Sequence, residues 1–269
     1  MMREKIAITI IIIGLVLIGC GAVYDLAARV HNHTGSVGGY LPQPETSPIP
    51  PMISIIIDDM GRSTEAFERL INLKAPITLS FLPGLPFTEE QSAKAKAMGF
   101  DVMLHLPMEP RGYPRVNPGK LAVLCEMSDS QIERTIETAI KLVPAAIGVD
   151  NHMGSKATED ERVMRSVLGV LKRHELFFVD SLTTNRSVGY KLARHMGVPT
   201  ARNDLFIDNL RDPDAVLKYL NRLAGIARRR GYAIGIGHPY PETISALERN
   251  IPRLKDDGIR FVRISELVR

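Results

Sequence analysis

Short apolar runs and helix-length amphipathic patterns alternate along the chain from residue 53 onward. Runs at 53–57, 77–81, 102–104, 145–149, 176–179, 198–200, 232–236 and 259–262 are three to five residues long and read as strands. The spacing between them predicts helices. Residues 64–71 put Phe67, Leu70 and Ile71 on one face, and 128–142 do the same with Ile132, Ile136, Ala139 and Ile140 behind a Ser128 cap. Residues 88–98 open on a Thr-x-x-Gln capping signal and stop before Gly99. Helices are also predicted at 158–174 and at 212–229, the latter with Pro213 following an Asp212 cap. Strand and helix alternating in this way imply parallel strands joined by crossover helices. No Gly-x-Gly-x-x-Gly follows the first run, which disfavours a dinucleotide-binding open sheet and leaves a barrel as the preferred architecture.

The first 52 residues follow another pattern. Arg3 and Lys5 precede a stretch from 6 to 24 without a charge, as in a signal peptide or signal anchor. The Leu-Ile-Gly-Cys at 17–20 also resembles a lipobox, so an uncleaved anchor, a lipoprotein and simple cleavage all remain open. Each predicts a membrane association or export that places the rest of the chain outside the cytoplasm, in the periplasm or cell envelope. Residues 31–52 hold five prolines and three glycines and read as a tether, in which His31 and His33 are solvated. The expected division is therefore an apolar segment at 1–24, a flexible tether at 25–52 and a catalytic-type barrel domain at 53–269.

Composition adds mainly exclusions. A formal charge of +4, with no basic run interleaved with aromatics, gives no case for nucleic acid. Arg228, Arg229 and Arg230 close a predicted helix, where they complement its dipole. Cys125 is the only cysteine apart from Cys20, which excludes an intramolecular disulfide in the domain and a thiolate metal cluster.

The candidate chemistry lies where the apolar runs end. Asp58 and Asp59 follow the first, His105 the third, Asp150, Asn151 and His152 the fourth, Asp180 and Ser181 the fifth, and Gly237 and His238 the seventh. Parallel strands in a barrel present their C-terminal ends on one rim, so these segments meet there. Carboxylates and imidazoles without thiolate suit a divalent ion such as Zn, with Fe, Ni, Mn and Co as rivals. His174 and His195 sit at helix ends and belong to the dipole instead.

The blocks I-I-I-D-D-M-G, I-T-L-S-F-L-P, M-L-H-L-P-M-E-P, G-V-D-N-H-M-G-S, F-V-D-S and G-H-P-Y together resemble the divergent polysaccharide deacetylases, distant relatives of the NodB-type carbohydrate esterases. The resemblance implies a distorted (β/α) barrel of about seven strands and a divalent metal, usually zinc, held by one Asp and two His. It implies Asp58 as general base, Asp59 as a ligand and His238 as general acid. The family's His-x-x-x-His is missing, and His105 and His152 take the ligand roles by position. Asp180 joins the catalytic set as the residue holding an imidazole, with Asp150 as the alternative holder. Asp150, Asn151 and Ser155 are expected to contact substrate. Tyr113, in the loop from 107 to 118, is expected to stack on a sugar ring, and Tyr240 is a second such candidate. The implied reaction removes N-acetyl or O-acetyl groups from an envelope polysaccharide or peptidoglycan-like glycan. A catalytically silent glycan- or partner-binding module is the alternative. A phosphoesterase served by Arg62 and Arg186 is a weaker one.

Overall fold

The computed structural model describes residues 50–269. The segment expected at 1–24, and the tether at 25–52 except for its last three residues, lie outside the described residues. Strands β1 (Met52–Met60), β2 (Thr78–Phe81), β3 (Asp101–Met108), β4 (Gly148–Met153), β5 (Phe177–Asp180), β6 (Thr200–Arg202), β7 (Leu205–Phe206), β8 (Tyr232–Gly237) and β9 (Arg260–Phe261) form one sheet. The helices are α1 (Thr64–Ile71), α2 (Thr88–Ala97), α3 (Asp129–Leu142), α4 (Glu161–Arg173), α5 (Gly189–Met196), α6 (Pro213–Arg230) and α7 (Pro241–Asp256).

Every strand pairing is parallel, and the order is β6-β5-β4-β3-β2-β1-β8-β7, with β9 joined to the start of β1. The expected distorted barrel is thus a curled sheet whose ends, β6 and β7, do not pair. The chain crosses that seam directly: Asn203 N donates to Asp180 O and Asp204 N to Ile234 O, each at 2.9 Å. The last residue closes part of it by exchanging backbone bonds with Thr200.

Strand alternation sorts the side chains. Ile53, Ile55 and Ile57 pack outward against the helices, whereas Ile56, Met103, Val179, Ala201, Ile234 and Ile236 fill the curl with Val262, Ile264 and Leu267 of the C-terminal segment. Gly148 is needed here, because a Cβ would overlap the Phe177 ring. The same alternation turns Asp58, Ser80, His105, Asp150, His152 and His238 toward the inside of the rim.

Three differences from the expected elements have physical causes. The fourth strand begins at Gly148 and runs on through Asp150, Asn151 and His152, because all six of its residues register against β3, from Met103↔Gly148 to Met108↔Met153. Polar residues expected just past this strand are therefore part of it. Strand β7 is two residues long, too short to show a period. Helix α7, absent from the predicted elements, carries Pro252 on its exposed face, while Ile244, Leu247, Ile251 and Leu254 keep a regular buried stripe.

Candidate metal centre and active site

Strand β1 delivers two adjacent carboxylates to one place by breaking its own geometry. Asp58 points inward by alternation, so Asp59 should point out. Instead Asp59 takes the left-handed conformation (φ 56°), and the register against β2 slips between Ile57 and Met60. Gly61 follows with φ 108°, but the reversal is already made at Asp59. A non-glycine residue held in this conformation is strained, and Met153 and Leu182 at the ends of β4 and β5 share it.

Asp59 Oδ1 lies 3.0 Å from His152 Nδ1 and 3.4 Å from His105 Nε2, and these two nitrogens are 3.1 Å apart. Around a tetrahedral ion with ligand bonds of ~2.0–2.2 Å, donor atoms are separated by about 3.3 Å. The two rings meet edge to face with centroids 4.9 Å apart, so both nitrogens aim at the carboxylate. Asp59 Oδ1 is buried and has no hydrogen-bond donor aligned with it. Three carboxylates, Asp58, Asp59 and Asp150, surround His105, and no Lys or Arg among the described residues pairs with any of them. Such a cluster calls for a cation, and the three donor atoms fit a divalent one.

The supporting contacts fix the imidazoles. His105 Nδ1 is 3.0 Å from Asp150 Oδ1, which also accepts from Ser80 Oγ at 2.5 Å. With the Nδ1 proton committed to Asp150, Nε2 presents its lone pair to the cluster. Asp150 is fully buried and lies behind His105, so it cannot contact substrate as expected; it takes the alternative role of orienting a ligand ring.

Burial, reinforced by the charge of Asp150, raises the Asp58 pKa well above the ordinary carboxyl range. Burial also opposes ionisation of Asp59, but the facing imidazoles of His105 and His152 outweigh it and hold that carboxyl far below the usual range. For His105, burial is overcome by Asp58 and Asp150, which push it well above the ordinary imidazole value. Burial and the adjacent His105 lower His152. Neighbouring groups in one pocket are thus driven apart, a pattern associated with acid–base sites.

Across the same cavity, of about 290 Å³, stands His238, with Asn151, Ser181, Thr183 and Phe206 in the wall. Its Nδ1 is 3.0 Å from Asp208 Oδ1, while Asp208 Oδ2 accepts from His238 N at 2.5 Å and Thr243 Oγ1 at 2.9 Å. The ring stacks between Phe206 and Tyr240, at centroid distances of 6.4 and 5.3 Å.

Asp208, not Asp180, therefore holds this imidazole. Alternation explains the exchange: Phe177 and Val179 of β5 face the curl, so Asp180 faces the helices. There it accepts from Leu182 N, Ser187 Oγ and Tyr190 N and caps the start of α5. Asp208 ends the run Leu205-Phe206-Ile207, which repeats in miniature the apolar-run-then-Asp signature of β1 and β5.

Asn151 lines the cavity, but its amide is engaged by the backbone, accepting from Ser181 N and donating to Met153 O. Ser155 Oγ accepts from Arg111 N in the neighbouring loop and is not in the cavity wall, and neither is the exposed Tyr113. Ser181, which follows the fifth run, has a buried, unpartnered hydroxyl in the wall.

The sequence profile of the divergent polysaccharide deacetylases matches residues 55–268. The chain is 34% identical over 216 residues to YibQ, an uncharacterized protein of Escherichia coli K12, covering 80% of this chain and 67% of that one. Its fold is similar to an uncharacterized Agrobacterium tumefaciens C58 protein of known crystal structure (TM-score 0.78, 24% identity, 84% of this chain and 92% of that one). It is also similar, more distantly, to a mutant of a CE4 family pseudoenzyme with restored enzymatic activity (TM-score 0.50, 16% identity, 82% and 68%). Profile and fold agree, and the chain belongs to the divergent polysaccharide deacetylase family.

Proposed function

We propose that the chain is a metal-dependent hydrolase that removes N-acetyl, or O-acetyl, groups from an amino-sugar polysaccharide of the cell envelope. The observation that carries this reading is the convergence of Asp59, His105 and His152 opposite an Asp208-held His238, with Asp58 between them in one cavity. A divalent ion on the three ligands, which we assign as zinc, supplies Lewis acidity: it makes water a nucleophile near neutral pH and polarises an acyl carbonyl.

The chain's own groups do the rest. Asp58 Oδ1 has no hydrogen-bond partner, so it is free to accept a proton from the attacking water. Burial makes this carboxylate more basic than an exposed one. His238, its Nδ1 proton committed to Asp208, keeps Nε2 available to protonate the departing amine or alkoxide. Phe206 and Tyr240 hold the ring on both sides and restrict it to that orientation. His105 is kept in its ligating tautomer by Asp150 and Ser80.

The charge pattern and apolar stretch at residues 3–24 support an envelope location, with the domain tethered to or released from the membrane. A second reading, a silent glycan-binding module, is favoured by the similarity to a pseudoenzyme fold. Acetate release separates the two. The purified full chain with zinc is expected to free acetate from an N-acetylated amino-sugar polymer, and Asp58→Asn to abolish release while metal and glycan still bind. Glycan binding without acetate release by the unmodified chain selects the silent module.

A further inference from the structure

Beside the catalytic cavity the rim carries a second feature that acetyl hydrolysis alone does not need. A cleft of about 270 Å³ is walled by Leu82, Pro83 and Pro107 and flanked by Arg62 and Lys120. It lies next to the metal ligands: Pro107 is the register partner of His152, and Arg62 also lines the 240 Å³ hollow that contains Asp59 and Tyr240. Its lining holds two cations and no carboxylate. Of the other cations in the neighbouring loops, Arg111 and Arg186 are paired with Glu159 and Lys156 with Glu109. Among the described residues, Arg62 and Lys120 have no acidic partner.

We propose that this cleft binds a carboxylate borne by the sugar next to the acetylated one, so that the substrate is an acidic amino-sugar glycan; this rests on the deacetylase reading. With two cations and no carboxylate in its lining, the cleft attracts an anion. A carboxylate held at Arg62 would keep the neighbouring sugar close to the metal ligands, since Arg62 shares a hollow with Asp59 and Pro107 pairs with His152. The proline walls offer a rigid apolar surface for a pyranose ring face. The walls are also preformed. Leu82 N donates to Met60 O, Phe87 N to Gly61 O and Thr88 Oγ1 to Leu82 O. At Gly61 a Cβ would strike Thr88 Oγ1.

The test measures binding by calorimetry on the full chain carrying Asp58→Asn, with two probes. One is an oligosaccharide alternating N-acetylglucosamine and glucuronic acid; the other is its carboxyl-reduced counterpart, identical but neutral. The acidic probe is expected to bind about fivefold more tightly, a value typical of partly exposed ion pairs. The preference should shrink in high salt and vanish in the Arg62→Gln/Lys120→Gln double variant at unchanged Tm. Equal affinity for both probes, binding of neither, or a preference that survives the double substitution overturns the proposal. Preferential binding without acetate release by the unmodified chain upholds the cleft and removes the deacetylase reading. Equal turnover of acidic and neutral polymers does the reverse.

Discussion

Two histidines in this rim are each paired with a buried aspartate, and their surroundings give them different work. His105 is 2% exposed, pressed against Asp58, Asp59 and Asp150. His238 is 23% exposed, stacked between aromatic rings, and touches a single carboxylate. On the proposed reading, the same aspartate–imidazole unit would serve as a fixed ligand on the β3–β4 side and as a proton carrier on the β8 side. Local charge density and solvent access make the difference, not the residue types.

The largest expected effect lies between the two histidines. Asp58→Asn should lower kcat by about 10²–10⁴ with metal content unchanged, measured by acetate release beside elemental analysis. Loss of metal in that variant would make Asp58 a ligand and collapse the distinction. Next come the two supporting aspartates, which should separate cleanly. Asp150→Asn should weaken metal affinity about 10- to 100-fold in a chelator competition. Asp208→Asn should leave that affinity intact, reduce kcat and shift the alkaline limb of the pH–rate profile, because it acts through His238. Identical phenotypes would show that the two units are not differentiated.

Metal removal sharpens the comparison through pH. In the metal-free protein, His105 and Asp58 both have folded pKa values above their ordinary ones. Each therefore favours the folded state most at low pH and loses that contribution as pH rises through its folded pKa. Asp59, held far below the usual range, contributes throughout and loses its share only in strong acid. Ion binding needs deprotonated ligands and strengthens with pH. The gap in Tm between zinc-loaded and chelator-treated protein should accordingly widen from about pH 5.5 to about pH 8.5. A gap that narrows contradicts the ligand set.

A smaller effect tests the scaffold outside the pair. Glu109 accepts from Lys156 Nζ at 2.5 Å and Cys125 N at 2.6 Å, tying the loop after β3 to the segment after β4. Glu109→Gln should cost about 1–3 kcal/mol in denaturant unfolding at neutral pH. Burial opposes the charge on Glu109, but Lys156 and Cys125 hold its pKa below the ordinary value, so the cost should fade as pH drops through it. Burial and the Glu109 carboxylate also push the Cys125 thiol up to about 12. The same substitution should quicken its alkylation at pH 8, and an unchanged rate would assign the shift to burial alone.

The architecture was legible because each long strand writes its burial in a run of apolar residues, and because polar residues cluster where those runs stop. Placing Asp58, His105, His152 and His238 together needed only the parallel order. What the sequence concealed was direction. Asp180 follows an apolar run as Asp58 does, yet the alternation of Phe177 and Val179 sends it outward to cap α5. Asp208 lies just past a strand of two residues, too short for any periodicity to mark. The inward turn of Asp59 depends on a strained backbone conformation that no residue pattern encodes for a non-glycine. The expectation for Tyr113 rests on the length of its loop, which carries no information about where that loop folds, and Ser155, from the block after β4, turns to the Arg111 backbone instead.

The most direct test of the shared ion is elemental analysis of the purified full chain beside Asp59→Ala, His152→Ala and His238→Ala. About one divalent ion per chain is expected in the unmodified protein and in His238→Ala, and none in the two ligand variants. Metal retained after loss of Asp59 or His152, or absent from the unmodified chain after incubation with zinc, contradicts the account.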